Sequence, residues 1–159
     1  GLAEQRVTGQ DGWRDLGGVA MDYETIAPEE FGRSLTGIGV NLLTPDVRVL
    51  ARFLQEVFGL SAFRLSDDFA IIPHGGMVMQ LHSDGAYGGH PLLGMVPELP
   101  PRGAGAQLYL FGIDPDAAAA RAQPDQVIEP PADKPHGLRE ATILSPEGFA
   151  FSPAMPRHG

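Results

Sequence analysis

One pattern occurs twice in this chain: a short strand, a helix opened by an aspartate, then further strands. The first copy runs from Ile38-Gly39-Val40-Asn41-Leu42-Leu43 through Asp46 and a helix reaching Phe58-Gly59-Leu60. The second runs from Gln107-Leu108-Tyr109-Leu110-Phe111 through Asp114-Pro115-Asp116 and an alanine-rich helix over Ala117 to Ala122. A duplicated unit of this kind yields two open half-sheets that must meet. The groove between them is the natural place for a ligand.

Within the first copy, Ile38, Val40 and Leu42 alternate with Gly39 and Asn41 over 35–43, the period of a half-buried strand. Asp46 stands at the positive end of a helix whose buried face carries Val49, Leu50, Phe53, Leu54 and Val57, and Gly59 ends it in a left-handed cap. Strands follow at Ser61 to Leu65, Phe69 to Pro73 and Met77 to His82, the last two joined by a tight hairpin at His74-Gly75-Gly76. A glycine- and proline-rich linker over 83–103 separates the copies. The second copy reads as strands at Ala106 to Phe111, Gln126 to Glu129, Leu138 to Leu144 and Phe149 to Pro153, with a turn at Ser145-Pro146-Glu147-Gly148. The fold class is α+β, two βαβββ modules over 36–84 and 104–155. Residues 1–35 are polar, glycine-rich and aperiodic, and read as an arm without function of its own, held against a neighbouring subunit. Met21, followed by Asp22-Tyr23-Glu24, is a candidate natural start, on which reading part of the arm ahead of it would be expression-derived or upstream sequence.

Bulk properties exclude whole classes of function. There is no cysteine, which removes disulfides, thiolate metal sites and cysteine nucleophiles. The net charge is −9 with Lys134 the only lysine, a poor surface for a phosphate backbone, so nucleic acid is not an expected partner. No stretch has the length of a membrane-spanning helix and the start has no signal-like apolar core, so the expectation is a cytoplasmic protein without a membrane partner. Gly-x-Ser-x-Gly, His-Glu-x-x-His and phosphate-cradling glycine loops are all missing from the sequence.

The succession Val40-Asn41-Leu42-x-x-x-Asp46, Phe53, Phe58-Gly59-Leu60, Asp114 to Ala122, Gly137-Leu138-Arg139 and Ser145-Pro146-Glu147-Gly148 resembles the vicinal oxygen chelate superfamily, which includes glyoxalase I, extradiol dioxygenases and bleomycin-resistance proteins. The resemblance covers roughly residues 36–155. It implies two modules paired side by side into a curved mixed sheet around a cleft, assembled as a homodimer. Metal-using members hold a divalent cation with four side chains, which fall by position on Gly39, Gln80, Gln107 and Ser152. Glycine offers no ligand, serine a poor one and the glutamines only neutral amide oxygens. No metal ligands and no cofactor are therefore assigned. A divalent metal survives as the disfavoured reading, through Gln80 and His82 on one strand face with a third ligand from His90 or His136. Against it stands a His82 that is simply a hydrogen-bonded residue at a strand end.

Strand alternation places Asn41, Gln80, Gln107 and Tyr109 on inward faces, a lining suited to a small, partly apolar molecule with hydrogen-bonding groups. Core filling is the competing role for Tyr109 and Phe111. Lys134, His136 and Arg139 form a basic cluster that could clamp a carboxylate or other oxyanion, Arg139 in bidentate fashion; alternatively Arg139 forms a structural ion pair with Glu140 or a neighbouring acid and Lys134 is simply exposed. His136 and His82 are the candidate proton-transfer residues. Two functions stay open. One is a metal-free binding protein for a small, oxyanion-bearing organic molecule. The other is a lyase, isomerase or dioxygenase using an atypical metal site or a histidine acid-base group. The acidic net charge favours a cationic ligand and the basic cluster an anionic one, and on sequence these signals conflict.

Overall fold

The computed structural model describes residues 13–15 and 20–158. Among them the chain divides into two units, one within 1–93 and one over 94–159 that also takes in Glu56–Phe58.

The first unit begins with an antiparallel ribbon of β1 (Trp13–Asp15) and β2 (Ala20–Asp22), followed by α1 (Pro28–Ser34). Proline occupies the first turn of α1 with Glu29 and Glu30, and Arg33 lies in its last turn, all matching the helix dipole. β3 (Val40–Thr44) leads into α2 (Val47–Phe58). The Asp46 side chain accepts the Val49 N–H at 3.1 Å, a cap worth about 1 kcal/mol. Gly59 closes α2 at φ 71°, as its position predicts. The buried stripe of α2 carries Val47, Leu50, Ala51, Leu54 and Val57. Val49, expected on that stripe, is exposed, because the register rotates the face by one residue toward Val47.

β4 (Phe69–His74) and β5 (Met77–Ser83) form the expected hairpin, with Gly75 and Gly76 at φ 58° and 79°. Both left-handed positions are what a two-residue primed turn demands. The expected strand over Ser61 to Leu65 reduces to a single bridge from Phe63 to Ile71. Arg64 explains the truncation: its φ of 50° breaks the extended run one residue later. The sheet order is β3-β5-β4, with β3 parallel to β5.

The second unit contains β6 (Gln107–Phe111), α3 (Pro115–Arg121), β7 (Val127–Asp133), β8 (Leu138–Leu144) and β9 (Ala150–Pro156), in the sheet order β6-β9-β8-β7. β6 runs parallel to β9. The two sheets thus repeat one scheme: the strand before the helix pairs in parallel with the last strand of its unit. β7 extends four residues beyond its expected end at Glu129, and its pairing with β8 is irregular between Val127 and Ala132. Pro130 and Pro131 lack the N–H groups a regular ladder would need, which suits an edge strand.

The register assigns every side chain to a face. In the first sheet Leu42, Thr44, Ala70, Ile72 and Leu81 share a buried face. The opposite face carries Asn41, Leu43, Phe69, Ile71, Val78, Gln80 and His82. Part of that face is covered from an unexpected source. Met21, Tyr23, Ile26 and Phe31 form one hydrophobic cluster with Ile71 and Val78, with Phe63 and Phe69 packed against it. The described part of the arm therefore supplies core to this unit. Its signal was weak because apolar positions 21, 23, 26 and 31 follow neither a strand nor a helix period.

Candidate functional site

In the second sheet Leu110, Ala141, Ile143 and Phe151 are buried on the same side as Arg139, and α3 packs on β7, β8 and β9. The opposite face presents two cross-strand rows. One is Tyr109, Ser152, Thr142 and Glu129; the other is Phe111, Ala154, Glu140 and Ala132. Gln107 extends this face along β6, where its amide donates to Ser152 Oγ at 2.8 Å. Ser152 Oγ lies 3.1 Å from Thr142 Oγ1, which completes a buried polar chain across three strands. The Tyr109 and Phe111 rings lie 5.2 Å apart and only 9° from parallel, and Phe111 is 60% exposed. Stacked ring on ring, they form a partly exposed apolar ledge beside the polar chain.

Glu140 sits at the end of this face and is 6% exposed. It raises the pKa of the Tyr109 phenol, chiefly through the polar interaction of its carboxylate with the hydroxyl; burial and the Glu129 charge add to the rise and Gln107 opposes it. His136 Nε2 lies 3.4 Å from Glu140 Oε1. Glu140 Oε2 is shut off from solvent and meets no donor in hydrogen-bond geometry. Sequence reasoning considered Glu140 only as a salt-bridge partner of Arg139. The signal that reveals it is the strand period, since adjacent residues of β8 must point to opposite faces.

The basic cluster is partitioned differently from the expected clamp. Arg139 donates from Nε and Nη2 to the two Asp116 carboxylate oxygens at 2.7 and 2.8 Å, and from Nη1 to Asp133 at 3.2 Å. These bonds push its pKa far above the ordinary arginine value and hold Asp116 below the usual carboxylate range. Arg139 is thus an ion-pair hub on the helix-bearing face, away from Tyr109 and Gln107. Lys134 Nζ donates to Glu129, a bond that raises the lysine pKa. Of the three expected clamp residues, only His136 faces the polar side without a full carboxylate partner of its own.

In the first unit, Asn41 and Gln80 are opposite neighbours, and Leu43 stands opposite His82. Asn41 donates to the Tyr87 hydroxyl at 3.1 Å. A chain of rings runs Phe69, His82, Tyr87 and His90, with centroid separations of 5.3, 5.1 and 5.1 Å. Burial lowers the His82 pKa, which favours the neutral imidazole, and its Nε2 has no hydrogen-bond partner. Tyr87, which sequence reasoning did not single out, separates His82 from His90, and His90 Nδ1 accepts the Leu92 N–H at 3.0 Å. These two histidines are not arranged as a shared ligand pair.

The four positions that the resemblance assigns to metal ligation, Gly39, Gln80, Gln107 and Ser152, can be tested directly. Gly39 has no side chain, and Gln107 and Ser152 are bonded to one another. Among the described residues no group of three or more His, Asp or Glu side chains is placed to hold a metal ion. This donor set does not fit a divalent cation, which needs several charged or strongly donating oxygens and nitrogens.

Two mixed sheets, each with a parallel first-to-last strand pair and a helix directly after the first strand, define an α+β protein of the glyoxalase/bleomycin-resistance-like fold class. Solved structures agree. A glyoxalase/bleomycin resistance protein/dioxygenase family enzyme from Burkholderia phytofirmans PsJN matches with TM-score 0.59 and 20% identity, covering 75% of this chain and 97% of that one. A glyoxalase/bleomycin resistance protein/dioxygenase from Nocardioides matches at 0.57 and 19%, covering 82% and 93%. TioX from Micromonospora sp. ML1 matches at 0.54 and 19%, covering 78% and 98%. No protein-family model and no curated protein matches the sequence. At these identities the likeness establishes the fold, and the chemistry has to be argued from the residues. No helix among the described residues is long and apolar enough to cross a membrane.

Proposed function

We propose that this chain binds a small organic molecule on the polar face of the second sheet, without the four-ligand metal set of metal-using proteins with this fold. The observation that carries the reading is the composition of that face. A ledge of the stacked Tyr109 and Phe111 rings lies next to a fixed donor-acceptor chain of Gln107, Ser152 and Thr142 and a buried carboxylate, Glu140. Core filling does not require an exposed, stacked phenylalanine, whereas recognition of a flat, partly apolar ligand does. The homodimer that the family resemblance implies is part of this proposal, and light scattering on the purified protein would check it.

A thermal-shift screen of small aromatic amines, alcohols and carboxylates, run with and without a chelator, tests the reading. Stabilisation by at least one compound, unchanged by chelator and lost in Tyr109→Ala, is the expected result. A stabilisation that appears only with added Zn²⁺, Ni²⁺, Mn²⁺ or Fe²⁺ would overturn it in favour of metal-dependent chemistry, and no stabilisation by any compound would overturn it outright.

A further inference from the structure

We infer that the ligand of this face carries a protonated amine, received by Glu140, beside an aromatic body that lies on the Tyr109–Phe111 ledge; this rests on the binding role proposed above. The argument begins with an unbalanced group. Glu140 is 6% exposed, and its Oε2 meets no hydrogen-bond donor. A buried carboxylate oxygen without a donor is costly, and proteins supply one from a side chain, a backbone N–H, a water or a ligand.

The protein's own cations are already engaged. Arg139 lies on the other face with Asp116 and Asp133, and Lys134 is bonded to Glu129, so its single positive charge serves both Glu129 and Glu140. Across the strands Glu140 has Ala132 and Ala154 as neighbours, and neither side chain can donate. Tyr109 and His136 are the polar side chains beside it, and neither brings a permanent positive charge.

An ammonium group would supply the missing donor and balance the one negative charge that Lys134 leaves over between Glu129 and Glu140, which an alcohol cannot do and a carboxylate would oppose. Such a charge would also be attracted to the face of the Tyr109 and Phe111 rings. The acidic balance of the chain acts in the same direction, drawing cations toward it. His136 stands 3.4 Å from Glu140 Oε1 with its side chain 53% exposed, on the turn closed by the Gly137 N–H to the Lys134 carbonyl at 3.1 Å. Gly137 stands at φ 95°, so this turn relies on glycine.

Three probes with one aromatic body separate the alternatives: 2-phenylethylamine, 2-phenylethanol and 3-phenylpropionate, titrated calorimetrically at pH 7.5. The amine is expected to bind at least tenfold tighter than the alcohol, and the carboxylate weakest of all. Glu140→Gln is expected to remove that preference by weakening the amine about tenfold while leaving the alcohol unchanged. Equal or tighter binding of the alcohol or carboxylate overturns the inference while the binding role stands. So does undiminished amine binding in a folded Glu140→Gln protein. Should that variant not fold, the order of the three probes on the unmodified protein decides alone. Failure of all three to bind overturns the inference together with the binding role beneath it.

Discussion

The two halves share a parallel pairing of first and last strands but differ in how each fills one face of its sheet. In the first half, Tyr23, Ile26 and Phe31, which precede the repeated unit, form one apolar cluster with Ile71 and Val78. In the second half the matching face keeps an ordered polar chain, a ring ledge and the buried Glu140. The same backbone scheme thus serves stability in one copy and, in the role proposed above, recognition in the other. Duplication allows this because each sheet needs only one apolar face to fold, and the second is free to diverge.

The largest effect should come from removing the cover. Phe31→Ala leaves a cavity against Ile71 and Val78 and should cost about 3 to 5 kcal/mol in urea denaturation, while leaving ligand binding by the remaining folded protein unchanged. An equal loss of binding and stability would mean that the two halves do not divide the work as described.

A smaller effect compares turns. Gly148 (φ 91°) has no room for a side chain, since a Cβ there would stand 2.5 Å from Pro101 Cα; Gly76 (φ 79°) faces open space. Both Gly→Ala changes carry left-handed strain of about 1 kcal/mol, and Gly148→Ala should add a steric cost of about 1 to 3 kcal/mol. Equal losses in thermal melts would show that the turn at 145–148 yields more easily than its packing implies.

The smallest effect is a pH dependence in the first half. Burial holds the His82 pKa below 6.5, so as pH falls through 6.5 the unfolded chain takes up a proton that the folded chain resists. Stability from this residue is complete above that value and declines below it until the folded imidazole also protonates. The melting temperature should fall slightly more between pH 7 and 5 in the unmodified protein than in His82→Phe. A decline of equal size in both would remove His82 from the account.

Much of this was legible in the sequence, for identifiable reasons. Asp46, Gly59, Gly75-Gly76 and the 138–144 strand announce themselves through caps, left-handed positions and strict alternation, all set by neighbours within a few residues. The apolar cover was not legible, because Tyr23 and Phe31 take their partners from strands some 40 to 50 residues onward and follow no period. The basic cluster misled for a related reason. Lys134, His136 and Arg139 look like one group along the chain, but strand alternation and α3 divide them between two faces, and carboxylates at 116 and 133 take Arg139. Glu140 was readable from the same alternation once its strand was placed.

Arg64 carries a practical consequence. Its guanidinium donates to the carbonyls of Tyr23 and Ile26, and its backbone N–H donates to Glu24, so three bonds from one residue tie the preceding segment down. A shortened version begun at residue 36, where the repeated unit starts, would lose the cover and leave Arg64 with nothing to hold. It would also expose Phe69, Ile71 and Val78 as a sticky strip, so such a version should aggregate on expression although every residue of the repeat is present.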